Sequence, residues 1–282
     1  MDDGLKMRCK VVVSGDVVEM YFYKIPVSVG GNRKHKIEKN SKEIQEKRED
    51  NLYRARQNIR RIVWSNQSKY TKFVTLTYAK TVLDVKKVRR DITTFVQGMR
   101  RLGYDMKYLY VLENQKVRGK KENNAGCIHA HMLLFIDKYI PKENLEKCWK
   151  HGFVGIEKID DVKNLGAYVC KYITKDNLAE FGKRCYSCSI GLDRPSDERF
   201  YTFGFSDSVT SGNFQPEDVL RSLDISYSSS MNCDFFNANG EPVNQSIRYF
   251  QGKWRNGNII QQKADIDDLK AQFDYFANGS FD

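Results

Sequence analysis

The chain has 282 residues, 40% hydrophobic and 12% aromatic with five prolines, a composition that builds a sizeable core and excludes a fibrous or wholly disordered chain. No apolar run approaches the roughly 18 residues that a membrane span needs, and the opening Met1-Asp2-Asp3-Gly4-Leu5-Lys6 lacks a secretory signal, so a soluble cytoplasmic protein with no membrane partner is expected. The net charge of +11 is lopsided: residues 1–175 hold 37 basic and 20 acidic side chains, residues 176–282 hold 10 and 16, so the first part suits a polyanionic partner.

In chain order, residues 10–13 and 17–23 alternate like a hairpin around Ser14-Gly15-Asp16. After Gly30-Gly31 and a very basic stretch, Ser41 to about Trp64 reads as a long charged helix with Ile44, Leu52, Ile59 and Val63 as a sparse apolar stripe. Such a stripe fits a DNA-facing arm, with Arg60 and Arg61 on phosphates, or a helix packed along an edge. Phe73-Val74-Thr75-Leu76-Thr77-Tyr78 has the β-branched and aromatic content of a strand. Residues 84–101 form an amphipathic helix with Val85, Val88, Ile92, Phe95, Val96 and Met99 on its apolar face. A strand over 106–113, a polar loop over 115–126 and a strand ending at Ile136 follow. Next come a short helix from Pro141 to Trp149, a strand over 153–159 and a helix over 162–175. The order β-α-β-β-α-β-α predicts an α+β, ferredoxin-like split βαβ fold, an antiparallel sheet with helices on one face. Beyond it lie strand-like pieces at 184–190 and 199–205, a hairpin near 233–249 and an acidic helix over about 265–276.

Two motifs carry the chemistry. In Ile128-His129-Ala130-His131-Met132-Leu133-Leu134-Phe135, the i and i+2 positions put two imidazoles on one face of an otherwise apolar strand. Two buried imidazoles need partners for both rings, and a shared metal ion satisfies them. Glu113 ends the preceding strand; if the two strands pair as a hairpin it lies opposite 129–131 and supplies a carboxylate, with Gln115 as the alternative third ligand. Imidazole plus carboxylate suits Mn²⁺ or, with retained waters, Mg²⁺. The second motif begins 37 residues after His131: Tyr168-Val169-Cys170-Lys171-Tyr172-Ile173-Thr174-Lys175 sets two phenols and two ammonium groups on one helix side. A phenol is a weak nucleophile at neutral pH unless nearby charge favours its phenolate. Lys171 is placed to lower that pKa, to steady charge on phosphorus or to protonate the leaving oxygen. Lys175, one turn on, suits a phosphate anchor.

In this order and spacing, Phe73–Tyr78, Glu113 with His129-Ala130-His131, and Tyr168 to Lys175 resemble the three motifs of HUH endonucleases, most closely the rolling-circle replication initiators of bacterial plasmids and single-stranded-DNA phages. The resemblance covers roughly residues 70–195, and the tyrosine follows the histidines as in initiators, not relaxases. It implies site-specific nicking of unpaired origin DNA by Tyr168, a 5′-phosphotyrosine link, a 3′-OH primer for a host polymerase, and later rejoining. Tyr172 matches the second tyrosine of the two-tyrosine subgroup. Three segments are expected: 1–66, a hairpin and basic arm; 67–195, the endonuclease; and 196–282, an extension without an assigned role. No G-x-x-x-x-G-K-[ST] is present, so a host helicase is expected to separate the strands. A transposase of the same chemistry and a non-enzymatic DNA-binding protein with an RRM-like sheet are the competing readings. The seven cysteines read as reduced thiols, although Cys148, His151, Cys185 and Cys188 have the spacing of a zinc set.

Overall fold

The computed structural model describes residues 6–28, 41–114, 126–157, 159, 165–173, 186–201, 231–236, 242–255 and 258–261. In chain order the elements are β1 (Lys6–Ser14), β2 (Val17–Ser28), α1 (Ser41–Asn66), β3 (Lys72–Leu76), α2 (Val85–Arg101), β4 (Lys107–Asn114), β5 (Ile128–Phe135) and α3 (Lys142–Trp149). They continue with β6 (Val154–Glu157), α4 (Leu165–Cys170), β7 (Tyr186–Cys188), β8 (Ser196–Tyr201), β9 (Met231–Phe236), β10 (Pro242–Arg255) and β11 (Asn258–Gln261). These form two compact units, Met1–Ser41 with Pro195–Asp282, and Lys42–Arg194. Residues 1–66 are therefore shared between units, the hairpin in one and α1 in the other.

The first unit is a six-stranded sheet. The β1–β2 hairpin turns at Gly15, whose φ of 58° belongs to the left-handed region that glycine enters without strain. Strand order is β11-β10-β2-β1-β8, with β9 paired to β10. Val11, Val12, Val17, Val18 and Met20 are buried in it. The hairpin expected near 233–249 is the β9–β10 pair, and the acidic helix expected at 265–276 lies outside the described residues.

The second unit holds an antiparallel sheet of order β6-β3-β5-β4-β7. In β3-α2-β4, β5 is inserted between the two strands, which is the split βαβ arrangement. Alternation along each strand sorts side chains between the faces. Val74, Leu76, Ala130, Met132 and Leu134 point to one side, where Val88, Ile92, Phe95, Val96 and Met99 of α2 and Leu145 and Trp149 of α3 cover them. Asp84 caps α2 by accepting from the Lys86 amide at 2.8 Å.

The expectation of helices on one face is met by α2 and α3, and α1 and α4 add cover to the other. There Phe73, Leu109, Val111, Leu133 and Phe135 pack with Leu52, Ala55, Ile59, Ile62 and Val63 of α1 and Leu165 and Val169 of α4. The sparse stripe of α1 is thus a core face. Each fully buried aliphatic or aromatic side chain adds about 1.5–3 kcal/mol, enough to hold a mostly charged helix on the sheet.

Candidate functional site

The α1/α4 face carries the polar groups. Register pairs Glu113 with His129, and Val111 and Thr75 with His131, so Glu113, His129, Thr75 and His131 project to one side. His131 is only 5% exposed, and each of its nitrogens has a partner. Nε2 lies 2.8 Å from Glu113 Oε2 and Nδ1 lies 3.1 Å from Thr75 Oγ1. The ring of Tyr172 stacks on the imidazole at 3.6 Å between centroids and 17°.

The donors fit a divalent ion. Two ligands about 2.1 Å from one ion at right angles stand about 3 Å apart, close to the separation of Glu113 Oε2 and His131 Nε2. The Thr75 contact at Nδ1 orients the ring in the way that an outer partner orients a ligating histidine. His129 is half-buried, and burial, with the charge of His131, pushes its pKa below the ordinary histidine value against the opposing pull of Glu113. The neutral ring that this favours is the form that ligates. Among the described residues no three His, Cys, Asp or Glu side chains close around one point, so His129 stands in register with Glu113 but outside a complete cluster. The alternative ligand Gln115 lies outside the described residues.

Over this face lies α4. The helix expected over 162–175 is shorter among the described residues: it is α-helical for Leu165–Cys170, then tightens into bonds from the amides of Lys171, Tyr172 and Ile173 to the carbonyls of Tyr168, Val169 and Cys170. Arg56 Nη2 donates to the Ile173 carbonyl at 2.7 Å, satisfying the chain where helical bonding stops. Gly166 makes the close crossing with α1 possible, since a Cβ there would stand 2.7 Å from Arg60 Cα. Tyr168 meets Phe73 edge-on at 5.3 Å and Tyr172 stacks on it at 5.8 Å, so one buried ring sets both phenols.

The hydroxyl of Tyr168 donates to Glu157 Oε2. That bond, then burial, then Tyr172 hold the phenol above the ordinary tyrosine pKa. Lys171 is exposed, with Nζ 4.5 Å from the centroid of the Tyr168 ring, over its face. The expectation that Lys171 depresses this pKa is therefore corrected: the ammonium meets the ring, and the carboxylate meets the hydroxyl. Burial raises the pKa of Tyr172 too, and the charges of Glu157 and Glu113 add to it against the hydrogen bond with Tyr168.

Glu157 was missed by sequence reasoning. Its signal was a lone acid closing the apolar strand Val154-Gly155-Ile156-Glu157 just before the tyrosine helix. Arg60 and Arg61, expected on DNA phosphates, are only 7% exposed because they lie in the stretch of α1 that packs on the sheet. Lys175 lies outside the described residues. The zinc set is not assembled: Cys148 packs with the α2/α3 core, Cys188 with the α1/α4 core, and Cys185 is outside the described residues. Cys127, Cys148, Cys170 and Cys188 are free thiols.

Residues 71–177, from the start of β3 to just past α4, match a family of replication-associated proteins, the ORF2 type. The match covers the candidate site, from Thr75 to Tyr172, and leaves the six-stranded sheet outside it. This replication-associated segment points to a role in initiating DNA replication. No curated protein and no solved structure matches the chain. Among the described residues no helix is long and apolar enough to cross a membrane.

Proposed function

We propose that the protein is a rolling-circle replication initiator of the HUH endonuclease type, a metal-dependent nickase and strand transferase acting on unpaired origin DNA. The observation that carries this reading is the meeting, on one sheet face, of a phenol hydroxyl and a histidine–carboxylate pair within a segment matching replication-associated proteins. Tyr168 is the nucleophile. Glu113 and His131, with His129 beside them, are the residues to hold Mg²⁺ or Mn²⁺, which when bound polarises the scissile phosphate. Tyr172 packs against His131 and fixes its plane. Lys171, exposed on the same turn as Tyr168, is placed to meet DNA phosphate. Attack by the phenol oxygen displaces the 3′ oxygen, leaves the 5′ phosphate on Tyr168 and frees a 3′-OH for a host polymerase. Because the bond to phosphorus is exchanged and not hydrolysed, rejoining needs no nucleotide triphosphate. A host helicase and the bacterial cytoplasm complete the proposed setting.

The test is incubation with a random single-stranded DNA library and Mn²⁺, followed by sequencing of the 5′ ends captured on the protein. A defined sequence joined to Tyr168, and loss of capture on chelation, are expected. Absence of any covalent adduct, or capture that survives full chelation, would overturn the reading.

A further inference from the structure

Glu157 stands at the end of the edge strand β6, paired with Phe73 of β3, and so shares the face of Thr75 and His131. Its two oxygens have different partners. Oε2 accepts from the Tyr168 hydroxyl, and Oε1 lies 3.5 Å from Thr75 Oγ1. The same Oγ1 is 3.1 Å from His131 Nδ1, and His131 Nε2 is 2.8 Å from Glu113. A continuous line of polar contacts thus runs from the phenol through Glu157, Thr75 and His131 to Glu113. The charged or titratable groups facing Glu157 are Tyr168, Tyr172 and Lys171 from α4 and its following turn, His131 from β5 and Glu113 from β4. Among the described residues no lysine or arginine forms an ion pair with Glu157, so no cation competes with the phenol for its oxygens.

We infer that Glu157 is a catalytic residue, the base that takes the phenol proton as Tyr168 attacks and returns it when the strand is rejoined. The inference rests on Tyr168 being the nucleophile. In the forward step the Oη–H bond breaks and the proton passes to Glu157 Oε2 while the Oη–P bond forms. The P–O3′ bond breaks, its electron pair stays on O3′, and that oxygen takes a proton from water to become the 3′-OH. A free carboxylate is a far weaker base than a phenolate, so transfer proceeds only as the phenol oxygen bonds to phosphorus and its proton becomes acidic. Thr75 keeps the carboxylate turned toward Oη. Rejoining runs the same transfers backwards, with Glu157 protonating the departing phenol.

A purely structural hydrogen bond predicts something else, because a glutamine carbonyl accepts from a phenol as well as a carboxylate does. Glu157→Gln is therefore compared with the full-length wild type in single-turnover adduct formation with a captured DNA target and Mn²⁺. The expected result is a 10²–10⁴-fold slower reaction at neutral pH. The variant's rate should climb with pH, as hydroxide replaces the missing base, more steeply than that of wild type, while single-stranded DNA and Mn²⁺ affinities stay within about twofold. Glu157→Ala supplies a second route: formate should restore its rate in a saturable way, and formamide should not. A Gln variant within about threefold of wild type would overturn the inference and leave the nickase reading standing, as would loss of Mn²⁺ affinity, which would make Glu157 a ligand. Failure of wild type to form any adduct would overturn both.

Discussion

Two tyrosine–carboxylate hydrogen bonds lie on opposite faces of the same five-stranded sheet, and each has a histidine nearby. On the α2/α3 face, Tyr78 donates to Asp91 Oδ2 at 2.8 Å, Lys87 reaches the same oxygen at 2.5 Å, and His151 Nε2 stands 3.7 Å from Oδ1. On the α1/α4 face, Tyr168 donates to Glu157, whose other oxygen meets only the hydroxyl of Thr75. Burial pushes the Asp91 pKa up, but the bonds from Lys87 and Tyr78 and the charge of His151 outweigh it and hold the carboxyl below its ordinary range. The first cluster is closed by an ammonium and locks α2 to the sheet. The second has no such ion pair among the described residues, and Glu113, at its far end, is about a third exposed. The same residue types therefore serve cohesion on one face and reaction on the other, and the cation decides which.

Matched substitutions break this contrast most sharply. Tyr168→Phe should abolish the covalent adduct, a loss of at least about 10³-fold. Tyr78→Phe should leave adduct formation unchanged and lower stability by about 1 kcal/mol, read from denaturant midpoints, because Asp91 keeps Lys87 when it loses the phenol. Equal losses of adduct from both variants would erase the distinction between the faces. The histidines form the next pair. His131→Ala should cost at least about a hundredfold in Mn²⁺ affinity by calorimetry and a similar factor in adduct yield, and His151→Ala neither.

Thr75→Val keeps the shape and removes the hydroxyl that joins Glu157 to His131. A 10–100-fold fall in activity is expected, measured as single-turnover rate with the fold checked by circular dichroism. Gly166→Ala places a methyl 2.7 Å from Arg60 Cα. It should destabilise the chain by about 1–3 kcal/mol through displaced helix packing. The smallest effect is a pH slope. Tyr78 has its pKa raised, by burial first and then by Asp91, above the ordinary value of 10.0. Above pH 10 the unfolded chain loses a proton that folded Tyr78 keeps, so stability falls as pH rises, and Tyr78→Phe should flatten that fall in thermal unfolding.

Legibility followed sequence distance. The β4–β5 hairpin is local, so alternation alone put His129, His131 and Glu113 on one face, and the observed register pairs Glu113 with His129. The α2 face was equally readable, because its apolar residues recur at helical spacing. Glu157 was not, since its partner is set by α4 docking on Phe73, more than 90 residues earlier in the chain. The sparse stripe of α1 fitted either a packed or an exposed helix, and only Gly166 and Phe73 across the fold make it a core element. The position of Lys171 over a ring and not beside a hydroxyl depends on the tightening after Cys170, which no periodicity announces.

The six-stranded sheet draws its strands from both ends of the chain, with β1 and β2 before the Lys42–Arg194 unit and β8 to β11 after it. At the ribosome the β1–β2 hairpin emerges first and waits with both edges unpaired, because its neighbours β8 and β10 appear only with residues 196–255. The unit bearing the candidate site is contiguous and has all of its own strands before that. Its closure is marked by Asn66, whose side chain donates to the Asp193 carbonyl at 2.9 Å and accepts from the Asp193 amide at 3.0 Å, across 127 residues. Synthesis therefore delivers the chemistry before the sheet that frames it in sequence. A nascent chain stalled shortly after residue 194 clears the exit tunnel should already protect Tyr168 and His131 from modification while the hairpin remains open to protease.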